Sequence, residues 1–176
     1  MTRKALTILS LVLASGLASS ASAQAPAAPA GGGAAPAPPV QGVDIGTARK
    51  MMAAAEAAAV AAKANVACAI VDVNGDLVYF MRMDGAAPRG GTSSHGKARA
   101  AILFGMPTMA VGTAAREGKP VTATLTLPVA GAWELTPQQG GLPYMKAGKL
   151  AGAIGCGGSS PANDEKFAQA GLDAVK

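Results

Sequence analysis

Asn74-Gly75 stands between two apolar runs, Val66–Val73 and Asp76–Met83. Asn and Gly accept positive φ most readily, so the pair predicts a two-residue type I′ turn and, with it, an antiparallel hairpin. The incoming run is apolar at every position from Val66 to Val71, the pattern of a central strand covered on both faces. Along the outgoing run, Leu77, Tyr79, Met81 and Met83 alternate with Val78, Phe80 and Arg82. A chain committed to this hairpin needs a sheet and something to cover it.

The covers are readable on either side. Asp44 is placed to cap a helix over Ile45–Ala64, with Asn65 as its left-handed end. Gly85–Gly91 reads as a loop. Thr92, Ser93 or Ser94 can cap a second helix that runs to Phe104 and stops at Gly105; Pro107 then opens a third through Arg116. Val121–Leu127 alternates apolar and Thr residues, which predicts a half-buried strand. After Gly140–Pro143, Leu142–Ala147 and Lys149–Cys156 form a second hairpin around Gly148. Ser160 caps a last helix with Pro161 at its first position and Asp164 and Glu165 near its positive end. Five mostly antiparallel strands with packed helices make an α+β domain.

That domain spans 43–176. Residues 1–23 combine Arg3 and Lys4, an apolar stretch and Ala21-Ser22-Ala23, which is the form of a secretory signal peptide. Residues 24–42 are almost wholly Ala, Pro and Gly, a spacer with nothing to bury. No other stretch is long enough to cross a bilayer. The expectation is an exported protein, periplasmic or extracellular, without a stable membrane span. Without Arg3 and Lys4 the formal charge falls from +5 to +3, and the remaining charges are scattered. With six aromatics and no basic cluster, nucleic acid is excluded as partner. Export would put Cys68 and Cys156 where pairing is permitted. They pair if their strands are antiparallel neighbours, or remain two small buried residues if not.

Four segments in order, VDVNGDLVYFMRMDGA (Val71–Ala86), KARAAILFGMPT (Lys97–Thr108), GGLPYMKAGKLAGAIGCGG (Gly140–Gly158) and SPANDEKFAQAGL (Ser160–Leu172), resemble the GlcG/HbpS-type haem-binding family. The resemblance implies a profilin-like α+β fold, homo-oligomers, haem as cofactor and a suggestion of haem degradation. It departs at Arg89–His95, where many relatives carry more apolar residues.

His95 is the only histidine and falls, on this reading, in the first turn of its helix, where the dipole favours the neutral imidazole that a metal needs. It is the leading axial ligand; the plain alternative is a solvent-facing polar residue near a helix cap. Arg89, Lys97 and Arg99 would meet propionates, and Met81, Met83 and Phe104 would supply apolar walls. A Met or a hydroxyl from Thr92–Ser94 is a rival ligand. Gly155–Ser160 could receive an anion on its N–H groups, or simply let backbones pack closely. No metalloprotease motif, Cys-x-x-Cys or triad is present, so no catalytic residue is assigned. The first reading is an exported haem-binding protein for capture, buffering or sensing. The alternatives are an enzyme or accessory protein acting on a small carboxylated metabolite through Gly155–Ser160 and Arg82 or Arg99, and a non-catalytic oligomeric structural module. Mass spectrometry of the exported protein should find Gln24 at the N-terminus; retention of residues 1–23 would refute the leader.

Overall fold

The computed structural model describes residues 42–125 and 134–176. The expected leader, and the spacer up to residue 41, lie outside the described residues. The elements run α1 (Ile45–Ala61), β1 (Ala67–Val71), β2 (Leu77–Arg82), α2 (Pro88–Phe104), α3 (Thr108–Arg116), β3 (Gly141–Lys146), β4 (Lys149–Gly157) and α4 (Pro161–Asp173). The strands form one antiparallel sheet in the order β2-β1-β4-β3. On one face Cys68, Ile70, Ile154 and Cys156 pack against Met51, Met52 and Ala55 of α1 and Phe167 and Ala168 of α4. On the other, Ala69, Val71 and Ala153 meet Ala98, Ala101 and Ile102 of α2. Sandwiched between helices, β1 is buried at all its positions, as its unbroken apolar run requires.

Local signals place several ends well. The Asp44 carboxylate accepts from Thr47 N at 2.8 Å, and Ser160 Oγ accepts from Asn163 N at 3.3 Å. Gly105 closes α2 at φ 62°. At the end of α1, however, the left-handed residue is Lys63 (φ 53°), not Asn65.

The first hairpin departs from the expected turn. Only Gly75 takes positive φ (81°), and Asp72 pairs with Asp76 across a three-residue loop. Asp72 Oδ1 accepts from Asn74 N and Asp76 N, and this carboxylate selects a type I turn followed by left-handed glycine. The primed geometry occurs instead at Ala147-Gly148, where both residues are at positive φ between paired Lys146 and Lys149. A bulge between Ile70 and Val71 then pairs Ile70 with Tyr79 but Val71 with Leu77. Leu77 is thereby turned to the face of Val71, away from Tyr79 and Met81, which the simple alternation had grouped with it.

There are four strands among the described residues, not five. Residues 121–125 are not in the sheet, and 126–127 lie outside the described residues. The physical reason is Thr124: its N–H donates to Leu103 O (2.6 Å) and its hydroxyl to Leu103 O (2.8 Å), so the segment serves the carbonyls left open at the end of α2.

α2 also begins earlier than expected, at Pro88 behind Ala87, with no side-chain cap. Proline suits the first helical position, but Gly90 and Gly91 disfavour helix on propensity. Packing overrides it. A methyl at Gly157 would stand 2.8 Å from Ser93 Oγ and 2.9 Å from Gly90 O, and one at Gly141 would stand 2.5 Å from Lys97 O. Glycines on the sheet let the helix backbone lie almost on the strands.

Two covalent or ionic ties secure this arrangement. Cys68 and Cys156 stand directly opposite on β1 and β4, Cα–Cα 4.1 Å, and form a disulfide. Lys97, 2 % exposed, donates from Nζ to Asp164 Oδ2 (2.8 Å) and to Cys156 O (2.9 Å), while Asp164 Oδ1 accepts from Ser159 N (3.0 Å). Removing one partner strands the other charge in the interior. Asp164→Ala should therefore lower unfolding free energy by about 3–5 kcal/mol, read by urea denaturation; a loss below about 1 kcal/mol would mean that solvent reaches the pair.

Candidate functional site

α2 carries His95 and Arg99 one turn apart, with Gly91 and Thr92 one turn before, so these residues share a face. That face looks onto the side of β2 that holds Leu77 and Phe80. Together with Glu134 they line a cleft of about 330 Å³. Phe80 and Leu77 are 42 % and 49 % exposed, an unusual state for such side chains side by side. Gly91 leaves room for the Phe80 ring: a methyl there would touch Cζ at 3.4 Å.

His95 lies two turns inside α2, not in its first turn, so the helix dipole is not what holds its imidazole neutral. Burial lowers its pKa below the usual 6.5 first, and the positive charge of Arg99 one turn on lowers it further. Nε2 is buried and has no hydrogen-bond partner. An unsatisfied nitrogen of this kind is a lone pair or a donor awaiting a ligand.

A second, more polar cleft of about 610 Å³ adjoins the first, sharing Thr92 and Glu134 and adding Arg89, Ser93, Thr136 and Gln138. Its outer wall, residues 134–139, is tied down at both ends. Thr136 N donates to Gly96 O (3.1 Å), where a side chain on residue 96 would collide with Thr136. Buried Thr108 at the start of α3 donates to Gln138 O (2.5 Å) and accepts from Gly141 N (2.9 Å).

Of the residues singled out in the sequence, the structure brings His95 and Arg99 into one cleft and puts Arg89, exposed, in the next. It does not bring the others there. Lys97 is buried in its pair with Asp164, without a free charge for a propionate. Met81 stands opposite Cys68, and Met81 and Met83 pack on the α1 and α4 side of the sheet, behind the strand. Phe104 is nine residues past His95, about 14 Å along the axis and on the other side of the helix. Ser94 is buried and donates to Gly91 O (2.8 Å), and Arg82 Nη2 donates to Ala86 O (2.9 Å). The N–H groups of Cys156 and Ser159 are taken by Gly140 O and Asp164, and the glycines of Gly155–Ser160 serve close packing.

Leu77, Phe80, Glu134 and Thr136 were not foreseen. The bulge that aims Leu77 leaves no mark in the sequence, whereas Phe80 was already on the face opposite Met81. Chemically the cleft offers one neutral imidazole, two large apolar side chains and a guanidinium. Among the described residues no three His, Cys, Asp or Glu side chains gather, so a bare ion would find too few ligands. A metal that brings its own equatorial ligands fits this donor set.

A family model described as "Haem degrading protein HbpS-like" matches residues 43–173. The Klebsiella pneumoniae protein ORFY is similar in structure, at 27 % identity over 78 % of this chain and 93 % of that one, TM-score 0.67. A double mutant of Streptomyces reticuli HbpS gives 26 % identity over 88 % and 99 %, TM-score 0.62. The crystal structure of a PduOC–haem complex shares the fold at 21 % identity over 77 % and 96 %, TM-score 0.66.

Because the chain has a single histidine, its imidazole titration can be followed without assignment. The midpoint should fall below pH 6.5 in the folded protein, and Arg99→Gln should move it up by removing a positive neighbour. A midpoint at or above 6.5 would show that the ring is solvated and the cleft open to water.

Proposed function

We propose, on the premise that the chain belongs to the HbpS-like haem-degrading protein family, that its domain binds haem in the cleft between α2 and β2, with His95 as the axial ligand. The observation that carries this reading is the buried, unpartnered Nε2 of His95 beside Phe80 and Leu77. The lowered pKa supports it, since the proton that competes with iron is held less tightly. Phe80 and Leu77 would cover a macrocycle face, and Arg99 would neutralise one propionate, with Arg89 in reach of the polar cleft for the other. Bound haem would supply a redox-active iron. The residues themselves would bind, orient and shed water, which suits capture, buffering or sensing.

Export to the periplasm or beyond belongs to the same proposal. It is supported by the leader-like residues 1–23 and by the Cys68–Cys156 disulfide, a bond that persists in oxidising compartments. Assembly with further copies of the chain belongs to it too, and the face of α1 that exposes Ala53, Ala57 and Val60 would suit close contact.

Hemin titration followed by absorbance tests the binding reading. The protein should give a Soret band that saturates at one hemin per chain. His95→Ala should shift its maximum and weaken binding about tenfold or more, in the range seen when a metal site loses support. Phe80→Ala should weaken binding without moving the maximum, because it removes cover and not a ligand. Unchanged spectrum and affinity in His95→Ala would place the iron elsewhere. A monomer by light scattering at tens of micromolar would remove assembly from the proposal, at roughly the concentration where weak contacts dissociate.

A further inference from the structure

We propose that the cleft between the N-terminal ends of α2 and α4 is a second binding site, one that takes a small molecule by its carboxylate or phosphate group. The cleft is about 330 Å³, within the range of small-molecule sites, and does not include His95. Arg89, Ser93 and Lys97 line it from α2. Spaced four residues apart, they form a column of cation, hydroxyl and cation along one side of the helix. Gly158, Ser159 and Asp164 line it from the junction of β4 and α4.

The floor is what points to a ligand. An ammonium has three N–H donors, and Cys156 O and Asp164 Oδ2 take two from Lys97. The third has no acceptor among the described residues, although the side chain is 2 % exposed. Asp164 takes one of those donors on Oδ2 and accepts from Ser159 N on Oδ1. That third N–H is the part of the buried ammonium that an oxyanion in the cleft would satisfy. The Ser93 hydroxyl likewise makes no hydrogen bond to the described residues. Asp164 cancels the charge of Lys97, which leaves the exposed Arg89 as the net charge of the lining. The amide ends of two helices, that of α2 uncapped by any side chain, add to the same sign. Such a lining selects an anion and rejects a cation.

The site shares Arg89 and Ser93 with the polar cleft beside the haem site, but its test does not need haem. The full chain, isotope-labelled, is titrated with inorganic phosphate and, separately, with malonate, and its backbone amides are followed by NMR. Saturable shifts at Ser93, Gly158 and Ser159 are expected with at least one probe; phosphate alone responding assigns a phosphate group, malonate alone a carboxylate. Arg89→Gln should weaken that binding about fivefold, the size of an exposed charge contact. Lys97→Met/Asp164→Leu, which replaces the buried pair by apolar groups of similar bulk, should abolish saturation if it folds. Arg89→Gln keeps the inference falsifiable if it does not. Shifts that never saturate, or that survive Arg89→Gln unchanged, overturn the site. Failure of hemin to bind while phosphate or malonate still saturates would overturn the haem reading alone.

Discussion

The ammonium of Lys97 sits where α2, the end of β4 and the start of α4 meet, and it bonds to two of them at once. Everything on the outward face of α2 inherits its position from this junction. The helix can reach it only because the strands beneath carry Gly141, Gly155 and Gly157, where side chains would collide with the helix backbone. Polar closure and close approach are one constraint: an ammonium on a shorter stem of space must have its acceptors near, and the glycines bring them near. Two residues before it in sequence, on another side of the helix, is His95.

This geometry divides α2 lengthwise by chemistry. One side, with Ala98, Ala101 and Ile102, is sealed against the sheet. A second holds the junction with α4. A third is left open over the edge strand β2, where the exposed aromatic and aliphatic side chains and the desolvated imidazole lie together. An edge strand is needed there, since a further strand beyond β2 would be backed by the same helix and close the opening. ORFY superposes on this frame over most of both chains.

What was legible in the sequence is what local chemistry decides. Asp44, Gly105 and Ser160 act within a turn of themselves, and each does in the structure what its residue type prescribes. The pairing of the two cysteines stayed open, because the hairpins set β1 against β2 and β3 against β4 but not β1 against β4. What was not legible depends on distant partners. The N-terminal turns of α2 contain glycines that propensity assigns to a loop, and their close packing on Gly157 and Gly158 favours the helix. Lys97 was read as a propionate partner because its true acceptors are 59 and 67 residues away. Thr124 alternates like a strand residue yet closes a helix. Met81 and Met83 were expected at the site because a strand has two faces and nothing local says which one a helix will choose.

The bulge between Ile70 and Val71 gives β2 one residue more than β1 can match. It works as a clutch between turn and strand. Upstream of it Leu77 is engaged with the α2 side, and downstream Tyr79 and Met81 with the other. Gene lengths drift by whole codons, and for most surface hairpins such a change is absorbed in the loop. Here loss of the single unmatched residue, Val78, would remove the bulge yet leave Leu77 opposite Val71, on the α2 side, with Tyr79 still opposite Ile70. The opening over α2 is thus buffered against that deletion, and only a slip that paired Val78 with Val71 would carry Leu77 to the α1 side.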